Sequence, residues 1–224
     1  MAEDFQRART PEQRGERVTE IHRAAVELLG DMPVDQISVR MVATKVGLAA
    51  SNVLRHAGSR EELFLDVMDE QYVAWIAELS AELTRLGTPA SIDAVATLIA
   101  SSLVHRTTLH QLIEASPELL RHTASGSGAR NRAQGERNGA ALTALVEAAV
   151  GCSFNEADQK YFVAGLHAVV SAAGAWSRQT LFPVDAERII QDLVAILLAG
   201  LISRAHQRAP TEATESQRVA SRHS

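Results

Sequence analysis

The sequence predicts an all-α protein, in which a small N-terminal helical domain precedes a larger helical domain. Two general observations favour this fold class. Ala, Leu and Val dominate the 46% of residues that are apolar, and no run alternates apolar and polar residues long enough for a strand. The third observation is local, because residues 38 to 63 read as a helix, a tight turn, a second short helix and the capped start of a third.

The first predicted helix runs from about Arg14 to Leu29. Its apolar residues recur at helical spacing and would be buried, and Gly30 and Pro33 would end the helix. The buried stripe consists of Val18, Ile21, Ala25, Leu28 and Leu29. Together with the two short helices that follow, this helix would make a three-helix domain.

The most specific pattern lies in residues 38–63, SVRMVATKVGLAASNVLRHAGSREEL. Ser38 can cap the first short helix, because its hydroxyl can accept a backbone N–H of the first turn. Gly47 permits the left-handed turn that ends this helix, and Leu48 would fold back to close the corner. The apolar stripe between them consists of Val39, Val42, Ala43 and Val46. A tight angle between two short helices is predicted.

The second short helix, about residues 49 to 57, has only two large apolar side chains, Val53 and Leu54. Asn can pair with adenine, Arg with guanine or a phosphate, and Ser with either. The helix therefore has the composition of one that contacts bases in the major groove, although an ordinary exposed helix also carries polar residues. Its polar residues are Ser51, Asn52, Arg55 and His56.

A third helix is predicted to begin directly after this one. Ser59 and Glu62 have the spacing of a capping box. Arg60 lies in the first turn, where a cation opposes the helix dipole unless an anion is present. A DNA phosphate would supply that anion.

This segment resembles the DNA-binding domain of the TetR family of bacterial transcriptional regulators, whose pattern is T-V-R-D-I-A-x-x-A-G-V-S-x-x-T-L-Y-x-H-F-x-S-K-E-x-L. The resemblance covers about 45 residues, from helix one to the start of helix four. It implies that Ser38 and Arg60 hold phosphates and that His56 lies against the DNA backbone. It also implies that three residues at the start of the recognition helix face bases. These are Ala50, Ser51 and Asn52, and Arg40 and Arg55 complete the predicted DNA-binding set.

The segment departs from the family pattern at three positions. Ala49 replaces the usual Ser cap of the recognition helix, which forfeits about 1 kcal/mol of capping. Leu54 replaces the Tyr that binds a phosphate, and Ala57 replaces the Phe that closes the small core. Weaker DNA contacts are implied unless Arg55 and Arg60 compensate.

The remaining chain is predicted to be helical up to a disordered tail. A long helix would run from Ser59 to Leu86, and further helices would follow at 90–104, 107–114, 117–124, 133–150, 155–180 and 185–207. Residues 125–130 would form a loop or a break within a long helix. The predicted domains are a flexible arm (1–13), the DNA-binding domain (14–58), an effector-binding and dimerisation domain (59–208) and the tail (209–224).

The last two helices are apolar over more than one stripe and must bury more than one face. One face can meet its own domain and the other a partner subunit, in a four-helix interface of the kind that the family resemblance also implies. The alternative is that both helices lie in the core of a monomer. The predicted interface residues are Val163, Leu166, Val170, Ala173, Leu193, Leu197 and Leu201.

The resemblance also implies that the C-terminal domain binds a small molecule that changes the spacing of the two DNA-binding domains. A mainly apolar lining with a few polar groups would admit a hydrophobic effector. Ordinary core packing is the alternative role of each candidate wall residue. The candidates are Tyr72, Trp75, Leu98, Ser102, His105, Ile113, Leu142, Phe162 and His167.

Composition restricts the possible functions. Residues 1–60 hold nine Arg plus Lys and eight Asp plus Glu, a net charge of +1. Because the whole chain has a net charge of −5, the remaining residues carry −6. The single cysteine, Cys152, excludes an intrachain disulfide and favours a cytoplasmic location. No membrane-spanning segment is predicted, since the most apolar run, residues 194–202, is too short to cross a bilayer. The sequence contains no recognised catalytic motif, and no metal site or cofactor is predicted.

These observations favour a homodimeric regulator that binds a palindromic operator on double-stranded DNA and is released by a small, mainly hydrophobic effector. A first alternative is a DNA-binding regulator without a small-molecule effector. A second is an all-helical binding module or enzyme, in which the helix-turn-helix is only structural.

Overall fold

The computed structural model describes residues 11–123, 125–177 and 185–220, and these residues are helical with short connections, which confirms the predicted all-α fold. The helices are α1 (Pro11–Asp31), α2 (Val39–Lys45), α3 (Ala50–Ala57), α4 (Arg60–Leu86), α5 (Ile92–Val104), α6 (Thr107–Arg121), α7 (Ser125–Val150), α8 (Glu156–Ser177) and α9 (Ala186–Ala220). A 3-10 turn, Val34–Gln36, which the sequence did not predict, joins α1 to α2.

The chain folds into two compact units. The first unit holds the residues up to Tyr72 together with Thr107–Gly135, and the second holds Val73–Arg106 and the residues from Glu136 onward. The boundaries fall inside α4 and α7, so each of these helices contributes to both units. The first unit is thus larger than the predicted domain at 14–58, and the assignment of functions to 14–58 and 59–208 remains a prediction.

The core of the first unit explains this larger extent. Buried side chains of α4 and α6 join those of α1, α2 and α3 in one apolar cluster, which excludes water from all five helices. Gln111 of α6 also donates a hydrogen bond to the carbonyl of Leu29 at 3.1 Å, at the end of α1. The central members of the cluster are Ile21, Ala25, Leu29, Val42, Val53, Leu63, Phe64, Val67, Leu112 and Leu119.

In the second unit, α9 packs against α5 and α8. Gly165 of α8 permits this close approach, because a Cβ atom at this position would lie 2.8 Å from Cδ2 of Leu197. At the other end of the pair, Arg204 of α9 lies 2.7 Å from the buried carboxylate of Asp158, which Arg208 also contacts. The buried core residues include Trp75, Leu79, Ile99, Leu103, Leu142, Phe162, Leu166, Val170, Ile190, Val194 and Leu198.

Residues 107–121 form one helix, so the predicted separation into helices at 107–114 and 117–124 is wrong. Pro117 has no N–H to donate to the carbonyl of Ile113, four residues earlier. The hydroxyl of Ser116 donates to that carbonyl at 2.9 Å instead. The side chain thus replaces the missing backbone bond, and the helix continues.

Residues 125–130 are helical as well, so the predicted loop or break is wrong, although residue 124 lies outside the described residues. Side chains just beyond this segment tie α7 to α4. Asn131 donates to Asp66 at 3.0 Å, and Arg130 lies 3.4 Å from the same carboxylate. Tertiary contacts at this end of α7 therefore accompany a helix that the Gly and Ser residues disfavour.

The chain ends differ from the prediction in length. Helix α1 begins at Pro11, inside the predicted flexible arm, and residues 1–10 lie outside the described residues. Helix α9 continues to Ala220, so residues 209–220 of the predicted disordered tail are helical, in keeping with their Ala, Glu, Gln and Arg content. Residues 178–184 and 221–224, which include the predicted end of α8, lie outside the described residues.

Within α9, Ala186–Arg208 has a mean hydropathy of 1.5 and is long and apolar enough to cross a membrane by length and composition alone. This stretch is longer than residues 194–202, which by themselves are too short to cross a bilayer. A core helix of a soluble protein passes the same test, and α9 packs against α5 and α8.

Candidate nucleic-acid interface

The corner between α2 and α3 is built by local hydrogen bonds, as the sequence predicted. Ser38 caps α2 by accepting a hydrogen bond from the backbone N–H of Met41 at 3.3 Å. Gly47 has a φ of +66°, and the N–H of Leu48 donates to the carbonyl of Ala43 at 2.8 Å. These bonds form the Schellman motif that ends α2 and sets the direction of α3.

Helix α3 buries one narrow stripe and exposes the rest of its surface. Val53 is fully buried and Ala57 is 7% exposed, and both belong to the core of the first unit. Ala49 lies at the N-cap without a side-chain hydrogen bond, as its methyl group requires. The other side chains are exposed (Ser51, Leu54 and Arg55) or half-buried (Ala50, Asn52 and His56). Arg40 and Ser38 of the α2 region are exposed as well.

Two predicted DNA-binding residues of α3, Asn52 and Arg55, contact each other. Arg55 donates a hydrogen bond from Nη2 to Oδ1 of Asn52, one helical turn earlier. This bond holds the guanidinium against the amide and leaves the Nδ2 group of Asn52 pointing away as a donor. The pair therefore presents mainly N–H donors, which suit the acceptor edge of guanine or a phosphate.

A cluster of positive charge surrounds His56. Burial lowers the pKa of His56, and the nearby positive charges of Arg55, Arg17 and Arg14 lower it further. The start of α1 thus contributes arginines to the same region as α3, although Arg17 also pairs with Glu20 at 2.7 Å. Their upstream position in the sequence gave no direct sign of this proximity, because it depends on how α1 packs.

Arg60 makes several contacts within the first unit, and the phosphate contact predicted for it stays a prediction. Its Nε donates to the carbonyl of Ile37 at 2.7 Å, its Nη2 donates to the carbonyl of Val34, and its guanidinium lies over the ring of Phe64 at 5.1 Å. These bonds hold the segment that leads into α2. Arg60 Nη1 also lies 3.4 Å from the carboxylate of Glu61, so the guanidinium has an anionic neighbour as well as the two carbonyl groups, which come from 23 and 26 residues away in sequence.

The end of α3 and the start of α4 form a tight joint. Gly58 has a φ of +79°, and a Cβ atom there would overlap the carboxylate of Glu62. The backbone N–H of Glu62 donates to Oγ of Ser59 at 3.0 Å, which confirms the predicted cap. Arg130 of α7 lies 3.9 Å from the carboxylate of Glu62, in addition to its contact with Asp66. One arginine of α7 is therefore close to two carboxylates in the first two turns of α4.

The candidate effector residues are divided between the two units. Tyr72 and Ile113 belong to the first unit and the other seven to the second unit. Trp75 donates from Nε1 to Oγ of Ser102 at 2.9 Å. Leu142 and Phe162 are fully buried, as core residues are, whereas Leu98 is half-buried and His105 is exposed.

Burial changes the titration of two of these candidates. It raises the pKa of Tyr72 well above its usual range and lowers the pKa of His167, so both stay neutral near pH 7. A shallow groove of about 400 Å³ in the second unit is lined by other residues, namely Ile92, Asp93, Ala195, Ile196 and Ala199. Within the described ranges, no cluster of three His, Cys, Asp or Glu side chains could hold a metal ion.

The predicted dimer residues divide into two groups. Leu166, Val170, Ala173 and Leu201 are buried within the second unit itself, so they are core residues and offer no surface to a partner. Val163 and Leu197 are half-buried, and Leu193 is 38% exposed. Beside them, α8 and α9 expose further residues that the sequence did not predict as part of an interface. The most exposed large apolar residue among these is Ile196, which is 68% exposed. The others include Tyr161, Ala164, Ala168, Ala199 and Gly200.

A short helix with an exposed polar face, packed on a small helical core next to a capped corner, is the arrangement of a helix-turn-helix motif. The model of the family described as bacterial regulatory proteins, tetR family, matches residues 21–67. Residues 21–67 therefore resemble the DNA-binding domain of bacterial regulatory proteins of this family. No curated protein matches the chain in sequence.

Solved structures share the fold at low sequence identity. A TetR transcriptional regulator from Rhodococcus sp. RHA1 is 16% identical, with a TM-score of 0.55 over 82% of this chain and 96% of that one. The fatty acid degradation regulator FadR from Bacillus halodurans is 14% identical, with a TM-score of 0.57 over 82% and 98%. The multidrug binding protein EbrR complexed with imidazole is 19% identical, with a TM-score of 0.54 over 84% and 94%.

Proposed function

We propose that this protein is a cytoplasmic homodimer, that it represses transcription from a palindromic operator, and that a small, mainly hydrophobic effector releases it. The observation that carries the DNA-binding part is the exposed face of α3 beside the arginine cluster around His56. Two such helices related by a two-fold axis would bind half-sites about one DNA turn or a small multiple apart.

The dimer part of the proposal rests on the exposed apolar surface of α8 and α9. Ile196 and Leu193 are large and exposed, and small residues beside them would let a partner helix approach closely. An isologous dimer buries such a surface against the same surface of a second copy. This surface is narrower than the one predicted from sequence, because four predicted residues lie in the core.

The effector part rests on two of the solved structures that share the fold. The names of two solved structures describe a multidrug binding protein and a fatty acid degradation regulator, which suggests lipophilic compounds as the first to test. An effector would lower DNA affinity by its differential binding to two states, typically about 1 to 3 kcal/mol of coupling. Thermal stabilisation by such a compound, together with release from DNA, distinguishes this proposal from a regulator without an effector.

Capture of genomic DNA fragments tests the DNA-binding part. The purified protein is mixed with sheared DNA at about 0.15 M salt, where nonspecific phosphate binding is weakened, and retained fragments are sequenced. We expect a shared inverted repeat. The variant N52A/R55A should lose this enrichment, whereas the matched variant R188A, which removes an exposed arginine of α9, should keep it. Equal enrichment by all three proteins would contradict the assignment of α3.

Mass measurement in solution tests the dimer part. Ile196→Glu places a charge in the proposed interface and should give a monomer at micromolar concentration, with weaker operator binding. Leu86→Glu is the matched control, because Leu86 is 41% exposed at the end of α4, outside this surface. A wild-type monomer, or an I196E variant that stays dimeric, would exclude the proposed interface.

A further inference from the structure

Leu54 is the one large apolar side chain that is exposed in the described part of the first unit, with 39% of its surface accessible. It lies in the middle of α3, on the flank of the stripe formed by the buried Val53 and Ala57. Because its side chain stays outside the apolar cluster of the first unit, it contributes little to the stability of the fold. An exposed leucine on a recognition helix therefore needs another account.

The neighbours of Leu54 on α3 are hydrogen-bonding groups. Ser51 is three residues earlier and Arg55 follows directly, and both are exposed. DNA binding removes water from such a face. A leucine there gains free energy only where it meets an apolar group, and it offers a phosphate neither a donor nor a charge.

The apolar group that a base edge presents in the major groove is the C5-methyl of thymine. We propose that Leu54 is a specificity-determining residue that selects a thymine in each half-site through contact with this methyl group. This inference rests on the proposed function, since it requires that α3 lies in the major groove. At this position the family pattern has a tyrosine that binds a phosphate, and a phosphate contact is the same for every DNA sequence. Leu54 would replace it with a contact that depends on which base is present.

Single-atom changes in the operator test the proposal. Each thymine of the captured operator is replaced in turn by deoxyuridine, which removes only the C5-methyl, and dissociation constants are measured by fluorescence anisotropy. One methyl group corresponds to about 0.8 kcal/mol, or roughly a four-fold change in affinity. We expect the wild type to lose about this factor at one thymine per half-site.

The protein variants connect that loss to Leu54. Leu54→Ala should bind the thymine and deoxyuridine operators equally at this position, whereas Leu54→Met should keep the preference for thymine. Val73→Ala, which trims an exposed apolar residue of the second unit, is the matched control and should behave as the wild type. Thermal unfolding should be nearly unchanged in all three variants.

Two results would overturn the proposal while leaving the proposed function intact. In the first, wild type and L54A show the same sensitivity to every deoxyuridine. In the second, L54A weakens binding to all operators by one common factor, which assigns Leu54 to the deoxyribose backbone. Failure of the wild type to enrich any inverted repeat is a different result, which removes the proposed function and this inference together.

Discussion

Arg60 illustrates how a single side chain can hold the corner between α1 and α2 through contacts within the protein. Its bonds to the carbonyls of Val34 and Ile37 and its stacking on Phe64 hold the segment before Ser38. Arg60→Ala should lower the free energy of unfolding by about 2 kcal/mol, the range for hydrogen bonds from a charged group, as measured by urea denaturation.

The control for this prediction is the dependence of DNA affinity on salt. A residue that holds carbonyl groups leaves the slope of log K against log salt unchanged, whereas a phosphate contact contributes about 0.9 to it. Arg60→Lys keeps the charge but cannot bond both carbonyls and stack in the same way, so it should be destabilised as well. Full stability combined with a smaller salt slope would restore the phosphate role.

We expect His56 to make DNA binding dependent on pH. Burial and the charges of Arg55, Arg17 and Arg14 keep the pKa of His56 below its usual value of 6.5 in the free protein. A phosphate beside the ring would raise this pKa in the complex, so DNA binding takes up a proton. Affinity should therefore strengthen as pH falls from about 7.5 to about 6 and weaken again as pH rises.

Anisotropy titrations at several pH values check this prediction. His56→Gln should show a flatter pH profile, because it removes the titrating group. His122→Gln is the matched control, since His122 is an exposed histidine of the first unit that pairs with Glu118. An unchanged profile in H56Q would mean that His56 does not lie near a phosphate.

At the scale of elements, α6 shows how a helix tolerates an internal proline. Ser116→Ala removes the hydrogen bond to the Ile113 carbonyl and should cost about 1 kcal/mol of stability. In a Pro117→Ala background the backbone N–H of residue 117 can reach the same carbonyl, so Ser116→Ala should cost much less there. Denaturation of the two single variants and the double variant measures this coupling.

A serine in a comparable bond without a proline provides the control. Ser101 donates to the Leu98 carbonyl in α5, at 3.3 Å, and no proline follows it. Ser101→Ala should have a small effect on stability. If S116A costs the same in both backgrounds, the hydroxyl does not replace the missing N–H.

These elements also show which parts of the structure a sequence can predict. The caps at Ser38 and Ser59 and the turn at Gly47 involve residues at most five apart, so their chemistry was visible in the sequence. The continuity of α6 was missed because Pro117 favours a break in a helix. The hydrogen bond of the Ser116 hydroxyl, which replaces the bond that Pro117 cannot make, is seen only in the structure. The role of Arg60 and the helical state of residues 125–130 involve partners tens of residues away, and no local pattern reveals these.

At the scale of the whole molecule, charge is unevenly distributed. The chain has a net charge of −5, but arginines of α1 and α3 converge on His56. Binding should therefore be weak on random DNA and steep in its dependence on salt. The variant R14Q/R17Q should reduce the salt slope by about 1 to 2, because each lost phosphate contact contributes about 0.9.

The same measurement on R85Q/R188Q is the control for this prediction. Both arginines are exposed, and both belong to the second unit. The net charge changes equally in the two double variants, so a general electrostatic effect would lower both slopes alike. A selective effect of R14Q/R17Q assigns the start of α1 to the DNA contact.

The first unit is assembled from two separate stretches of chain, and its core includes Leu63 and Phe64 of α4 and Leu112 and Leu119 of α6. A protein engineer who transplanted only residues 1–58 onto another sensor would leave behind part of the apolar cluster on which α1 to α3 are folded. The segment that keeps this core together consists of residues 1–72 and 107–135. A transfer of the first unit to another protein therefore requires an exchange at two places in the chain.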